Sequence, residues 1–323
     1  MRYISIKNHF PKLYKYIPGW IKGTYYGITA GSGIGKTRLA KKLFVEVFIS
    51  SCVEQNLPFK IIYFALEESK EKFFISILLS KLYQIYGIKL SYYQYKGFYG
   101  KLSDDELSKI QDIKDNYMQI YYDNILVFDY ISNPTGMYKT VKNIMNIYGT
   151  RTDGVVEEDE FGNKYSSYEY KYHDDKTHIA VIVDHISLIS PEKNEFGKVL
   201  TTHEAISKWS EYVVRYICKK YQCIVCNIHQ QEMAGDNIDN LKANNLEPSL
   251  TKLADNKIIG RDYHVLFGLF DPKRYRLATH NGIDIMKLPH DYRGFSIIKH
   301  RDGEDNIKVP MYFDGKVNEF KEL

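Results

Sequence analysis

In Gly27-Ile28-Thr29-Ala30-Gly31-Ser32-Gly33-Ile34-Gly35-Lys36-Thr37-Arg38-Leu39-Ala40, an apolar stretch runs into a glycine-rich turn, a Lys-Thr pair and the start of a helical pattern. These residue types at this spacing suit the phosphates of a nucleotide. Glycines without a Cβ let successive backbone N–H groups converge on phosphate oxygens, the Lys36 ammonium reaches the β and γ phosphates, and the Thr37 hydroxyl is placed to ligate magnesium. A helix opening at Lys36 points its positive end at the same anion. The candidate nucleotide-binding residues are Gly31, Ser32, Gly33, Ile34, Gly35, Lys36, Thr37 and Arg38, with Thr37 also a metal ligand. The usual spacing places glycine at position 30; this chain has Ala30, which needs only an allowed backbone angle there.

Carboxylates stand where the other half of such chemistry is needed. The apolar run His178-Ile179-Ala180-Val181-Ile182-Val183 ends in Asp184, which can hold the magnesium or its water shell opposite Thr37. Lys60-Ile61-Ile62-Tyr63-Phe64-Ala65-Leu66 ends in Glu67, placed to orient and deprotonate the water that attacks the γ phosphate. Its neighbour Glu68 is the alternative, and a solvated helix cap is the plainer role for both. His229 and Gln230 close another core strand, from which they could sense the γ phosphate, although a strand-end histidine more often serves structure. Cys218, Cys223 and Cys226 beside His229 suggest zinc only until geometry is considered, because strand residues three apart face opposite sides. Core thiols in a reducing compartment fit better.

To bring these groups together the chain must alternate strands and helices. Strands are expected at 25–29, 60–66, 125–129, 178–185 and 223–228, with helices over 36–52, from Phe73 through Leu82, and over 100–122, 136–148 and 201–221. Leu39, Leu43, Phe44, Val47 and Phe48 recur at helical spacing, and Ser103-Asp104-Asp105-Glu106 has the form of a capping box. Such alternation specifies an α/β sandwich with a largely parallel central sheet, whose ligands sit at the carboxyl ends of the strands. No repeat or low-complexity linker divides the chain, so one domain over 24–323 is expected after a lead, 1–23, too short for a domain of its own. Within it, 152–176 carries Glu157-Glu158-Asp159-Glu160-Phe161-Gly162 and reads either as an inserted β-hairpin turning near Gly162 or as a disordered acidic loop.

Composition narrows the classes further. With 323 residues and 44% hydrophobic content the chain can bury a substantial core, and its formal charge of +4 leaves any attraction to nucleic acid to local patches. No window approaches the ~18 apolar residues of a membrane span. Tyrosine is used 29 times, densely at Tyr92, Tyr93, Tyr95 and Tyr99, which suits base stacking or simply an A/T-rich coding sequence.

The ordered set Ala30-Gly31-Ser32-Gly33-Ile34-Gly35-Lys36-Thr37, Phe64-Ala65-Leu66-Glu67, Val181-Ile182-Val183-Asp184-His185-Ile186-Ser187 and Ile228-His229-Gln230 resembles the RecA-like core of hexameric replicative helicases. The likeness is greatest to DnaB-type enzymes and to the helicase half of phage primase-helicases. It continues to Ile297-Ile298-Lys299-His300-Arg301-Asp302-Gly303, similar to the family's Lys-x-Arg segment before a final β-hairpin. The resemblance implies a P-loop three-layer sandwich with a C-terminal β-hairpin, binding ATP and magnesium. It implies a replicative DNA helicase motor that hydrolyses ATP at the interfaces of a hexameric ring and moves along single-stranded DNA. The catalytic set is then Lys36, Glu67 and His229, with Arg301 and Lys299 acting in trans on a neighbouring subunit's site. Loops at 191–199 and 231–250 would face the DNA, with Lys242 the chosen contact.

A separate primase or loader is an expected partner, and the expected location is cytoplasmic, in the host if the chain is phage-encoded. Three departures from the family pattern stand out: Ala30, His264 where the family tends to have aspartate, and the 152–176 insertion. Two other readings remain open: a RecA-like recombinase or helicase-loading ATPase that forms filaments, and a nucleotide-binding regulatory module without turnover. Glu67, Asp184 and Arg301 together argue against the last.

Overall fold

The computed structural model describes residues 3–158, 162, 164–232, 245–254, 257–288 and 291–323. Strands β1 (Tyr3–Ser5) and β2 (Gly19–Ile21) pair antiparallel and precede β3 (Tyr25–Ala30), helix α1 (Lys36–Lys41) and α2 (Phe48–Glu54). Next come β4 (Phe59–Ala65), α3 (Lys70–Tyr86), α4 (Tyr92–Tyr95), α5 (Asp104–Tyr117), α6 (Gln119–Asn124), β5 (Ile125–Phe128) and α7 (Pro134–Tyr148). The antiparallel pair β6 (Gly149–Glu158) and β7 (Lys164–Tyr172) leads to β8 (His178–Asp184), α8 (Thr202–Tyr212) and β9 (Ile224–Gln230). The chain finishes with β10 (Val265–Phe270), the short pair β11 (Thr279–His280) and β12 (Ile283–Asp284), then β13 (Asp291–His300), β14 (Ile307–Asp314) and β15 (Glu319–Glu322).

The central sheet runs β15-β14-β13-β10-β3-β9-β8-β4-β5. From β10 to β5 every pairing is parallel, and β13, β14 and β15 extend the sheet antiparallel beyond β10. Strands buried on both faces explain the continuous apolar runs, since a parallel sheet needs cover on each side. One face packs on α1, α2, α3 and α5 through Leu39, Phe44, Phe48, Phe73 and Ile113. The other packs on α7 and α8 through Met137, Val141, Ala205, Ile206 and Trp209. The result is the expected three-layer α/β sandwich with a C-terminal antiparallel hairpin.

Several boundaries differ from the sequence reading for local reasons. The 100–122 helix breaks at Met118, whose buried side chain belongs to the first core layer, so α5 and α6 meet there at an angle the periodic pattern does not show. The lead is part of the main core: Ile4, Phe10, Leu13, Ile17 and Trp20 are buried, and Trp20 stacks on Phe44 at 4.5 Å. Among the described residues, no helix is long and apolar enough to cross a membrane.

A buried charge forces one irregularity. Between α1 and α2 the helix widens into a π turn, Lys42–Val47, that carries Glu46 into the interior. There Glu46 accepts from Ser80 Oγ at 2.9 Å, Gln84 Nε2 at 2.8 Å and Asn318 Nδ2 at 2.9 Å, and it pairs with Lys42 at 3.4 Å. Burial alone would raise its pKa, yet Lys42, Lys81 and these donors hold the carboxyl below its ordinary value. Removing one member strands the others, so Glu46→Ala is expected to cost ~3 kcal/mol. A urea-unfolding midpoint indistinguishable from wild type would refute this.

Candidate active site

The phosphate-binding turn is fixed from both ends. Strand β3 is buried along its whole length and ends at Ala30, which lies in register with Leu269 of β10 and Gln230 of β9. Ala30 is thus an ordinary strand residue, and the glycine of the usual spacing is not needed. The turn itself does need glycine: Gly33 has φ 75° and Gly35 φ 113°, and a Cβ on Gly35 would sit 3.0 Å from Phe313 Cζ. Helix α1 then begins at Lys36. Lys36 is only 8% exposed, and it forms no hydrogen bond or ion pair with another described residue. A largely buried lysine at a helix start without a carboxylate partner among the described residues suits an anion.

Thr37 and Asp184 meet although 147 residues separate them. Thr37 Oγ1 donates to Asp184 Oδ1 at 3.0 Å, and the Tyr63 hydroxyl donates to Asp184 Oδ2 at 2.9 Å. Burial raises the Asp184 pKa to about 6, against the lowering influence of Lys41, Tyr63 and Thr37. A hydroxyl and a buried carboxylate converging next to the cradle form an oxygen-only donor pair, the chemistry a hard divalent cation prefers. These residues fit magnesium, and the carboxylate keeps a net desolvation cost despite its two hydroxyl donors.

That cost has a pH signature. In the unfolded chain this aspartate ionises near 3.8, and in the metal-free fold near 6. The folded state therefore holds an extra proton between those values, and stability falls as pH rises from about 4 to about 6, staying lower above. Asp184→Asn is expected to stabilise the metal-free protein at pH 7 by ~2–3 kcal/mol, with the advantage vanishing near pH 4. Thermal melts across this range test it; an unchanged or lowered melting temperature at pH 7 would contradict it.

A cleft of about 300 Å³ opens beside this pair among Thr37, Arg38, Lys41, Glu67, Glu68 and Asp184, with Lys316 and Asn318 along its rim. The structure separates the two glutamates. Glu68 is mostly buried and ion-paired with Lys41, whose ammonium also reaches Ser76 Oγ at 2.8 Å and lies 4.9 Å from the Phe73 ring centre. Glu67 is 56% exposed, and its carboxylate lies 3.9 Å from His185 Nε2. Both line the cleft, and Glu67 is the more open to water.

His229 is placed differently from the expectation. Ile228 packs in the layer that holds α1, and strand alternation turns His229 to the opposite face. There it is fully buried, 2.6 Å from the Ala254 carbonyl through Nε2 and next to the Tyr263 ring. The structure does not bring it to the cradle. Gln230, one residue on, lies on the cradle face.

Lys299 and Arg301 sit at the far end of the sheet. Lys299 Nζ donates to the Gly260 and Arg261 carbonyls at 3.0 and 2.8 Å, and Arg301 Nη2 donates to the Arg261 carbonyl at 3.1 Å. Register places Lys299 opposite Leu266, itself opposite Gly27, whereas the cradle leaves β3 after Ala30. The substitution at His264 is also explained: its Nδ1 accepts from the Tyr25 backbone N–H at 2.9 Å. Burial, then Arg301 and Lys299, lower its pKa and keep it neutral for that bond.

Lys242 lies outside the described residues. The described residues on either side of it are well bonded. Gln231 Nε2 donates to Thr29 Oγ1 at 2.7 Å, and Glu247 meets His280 Nε2 at 2.9 Å and Lys308 Nζ at 2.6 Å. The His280 hydrogen bond, chiefly, lowers the Glu247 pKa to about 2.

Two residues that sequence reasoning missed grip the cradle from behind. Arg274 Nη1 donates to the Ser32 carbonyl at 2.6 Å, and Arg293 Nε donates to the Ile34 carbonyl at 3.1 Å. Their partners are backbone carbonyls 242 and 259 residues away, so no local pattern marks them.

No protein-family model and no curated protein matches the sequence. Solved structures do match its fold. The structure of a DnaB-like replicative helicase and its interactions with primase superposes with a TM-score of 0.69 at 14% identity, covering 99% of this chain and 63% of that one. An ATPase domain superposes equally well, TM-score 0.69 and 14% identity, over 100% of this chain and 93% of its own. A KaiC-like protein from the archaeon Pyrococcus horikoshii follows with a TM-score of 0.52 and 12% identity, over 100% and 99%. The chain thus has the RecA-like fold of DnaB-like helicase ATPase domains, and it spans 63% of the length of the first.

Proposed function

We propose that this chain is the ATPase motor of a ring helicase, hydrolysing ATP at sites shared between neighbouring copies and moving along single-stranded DNA. The observation that carries the shared site is the position of Arg301 and Lys299. In β3 the cradle begins four residues beyond the position level with Lys299, about 13 Å along the strand, and Arg301, beside His264, is farther still, so their own cradle is out of reach. A head-to-tail copy would bring that end of one subunit to the cleft of the next.

The chemistry follows from the groups around the cleft. The N–H groups of residues 31–36 and Lys36 would hold the β and γ phosphates, and Thr37 and Asp184 would hold the magnesium. The bound cation would draw charge from the phosphate oxygens. Glu67 takes the proton of the attacking water as its oxygen bonds to the γ phosphorus and the bond to the β-phosphate oxygen breaks. Arg301 and Lys299 of the adjoining copy neutralise charge that grows on the transferred group. Gln230 is placed to report the γ phosphate to the segment following Gln231, which would contain Lys242 and grip the DNA backbone without reading sequence. Binding to a primase or loader, and location in the cytoplasm, belong to the same proposal.

Glu67→Gln tests the base. It is expected to retain ATP binding and lower turnover by ~10²–10⁴-fold, with Glu68→Gln altering binding more than turnover. Turnover that survives in Glu67→Gln and disappears in Glu68→Gln would assign the base to Glu68. ATP hydrolysis that single-stranded DNA fails to stimulate would favour a regulatory module, and filaments in place of rings in particle images with a non-hydrolysable analogue would favour a recombinase-like or loader assembly.

A further inference from the structure

We propose that β13 is a mechanical link between two nucleotide sites, with Arg293 as the positioning residue that ties it to its own phosphate cradle. The inference rests on the reading of Lys299 and Arg301 as groups that act on a neighbouring copy. Arg293 is 7% exposed and fully engaged. Its Nε donates to the Ile34 carbonyl at 3.1 Å, its Nη1 to the Tyr292 carbonyl at 2.8 Å, and its Nη2 pairs with Asp271 at 3.2 Å. Its guanidinium also lies 4.5 Å from the centre of the Phe313 ring, the ring a side chain at Gly35 would crowd.

This grip has a direct effect on the cradle. A carbonyl of the turn held outward by a cation cannot turn toward the bound phosphates and repel them. Holding it so also orients the neighbouring N–H groups inward. Arg274 does the same at Ser32. A cradle that tightens on nucleotide must therefore pull on Arg293, and through it on β13.

The strand is built to carry that pull. From Asp291 to Ile297 it is paired with β14 on one side, and on the other with β10 from Gly294 to Ile297 and again at Lys299 and His300, across a bulge at Ile298. From Arg293 to Lys299 it spans about 20 Å at strand spacing, and Arg301 follows one residue past its end. At the far end Lys299 and Arg301 do not float; they rest on the carbonyls of Gly260 and Arg261. Gripping one cradle at one end and carrying the trans cations at the other, β13 transmits occupancy of one site to the next.

Hydrogen exchange of the full chain tests this, with and without saturating magnesium and a non-hydrolysable ATP analogue, in wild type, Arg293→Lys, Asp271→Asn and Arg301→Ala. Lysine keeps the charge but cannot make all three contacts. In wild type the analogue is expected to slow amides of the 31–37 turn and also those of the 258–264 and 301–305 turns, by about five-fold. In Arg293→Lys the 31–37 turn still slows and the two distal turns do not; Asp271→Asn, which frees the guanidinium with little disturbance, loses part of the distal response. Arg301→Ala retains most of it, because the link does not need contact with the neighbour. Distal slowing that is intact in both Arg293→Lys and Asp271→Asn, or wholly absent in Arg301→Ala, overturns the link. Unaltered turnover in Arg301→Ala would instead overturn the trans role of the finger, a separate outcome.

Discussion

Lys36→Ala is expected to reduce ATP turnover by ~10³-fold or more while leaving the fold intact or slightly more stable. The loss follows from where Lys36 sits. The residue is 8% exposed at the first turn of α1, without an ion-pair partner among the described residues. At a site shielded from water, one cation aimed at the γ phosphate is worth several kcal/mol to the transition state. The stability effect follows from the same facts. An unpartnered buried cation is a cost to the empty fold, and alanine removes it. Turnover assays with a thermal melt separate this from simple unfolding: lost activity with an unchanged or raised melting temperature is the expected pair. A variant that hydrolyses ATP at the wild-type rate would show that the cradle is not the catalytic site.

Arg301→Ala is expected to lower turnover by ~10³-fold with little change in the affinity of an isolated subunit for ATP. The backbone of Arg301 lies beside His264 at the amino-terminal edge of the parallel strands, and among the described residues its guanidinium makes one hydrogen bond, to the Arg261 carbonyl at 3.1 Å. It therefore has donors left for a phosphate brought to it. Lys299, held by two carbonyls on the same turn, keeps that edge cationic in the variant and sets the residual rate. A turnover loss matched by an equal loss of ATP affinity in dilute, unassembled protein would mean that Arg301 acts on the fold or on its own site.

How legible these features are in the sequence depends on how local their causes are. The cradle, Thr37, and the carboxylates at the ends of β4 and β8 are visible because strand-turn-helix spacing and apolar runs are short-range signals. The direction of His229 is not. Strand β9 is buried on both faces, so it lacks the polar alternation that would say which way residue 229 points. Arg274 and Arg293 are hidden because a backbone carbonyl across more than two hundred positions leaves no trace in residue types. The π turn at Lys42–Val47 is equally silent, because the Ser80, Gln84 and Asn318 donors that close around Glu46 come from distant parts of the chain. The break at Met118 arises from tertiary packing that overrides a periodic pattern, and the edge of the hairpin that begins at Gly149 follows from pairing with Tyr172.

The central claim is a site divided between neighbouring copies, and mixing two inactive variants measures it most directly. Lys36→Ala lacks the cradle cation but keeps Arg301; Arg301→Ala has the reverse. In a one-to-one mixture that exchanges subunits, about a quarter of head-to-tail interfaces join an intact cradle to an intact finger. ATP hydrolysis recovered to a substantial fraction of wild type, rising and falling with the mixing ratio and peaking near equal amounts, is the predicted result. A mixture as inactive as its components at every ratio, under conditions where subunit exchange is demonstrated, would contradict the shared site.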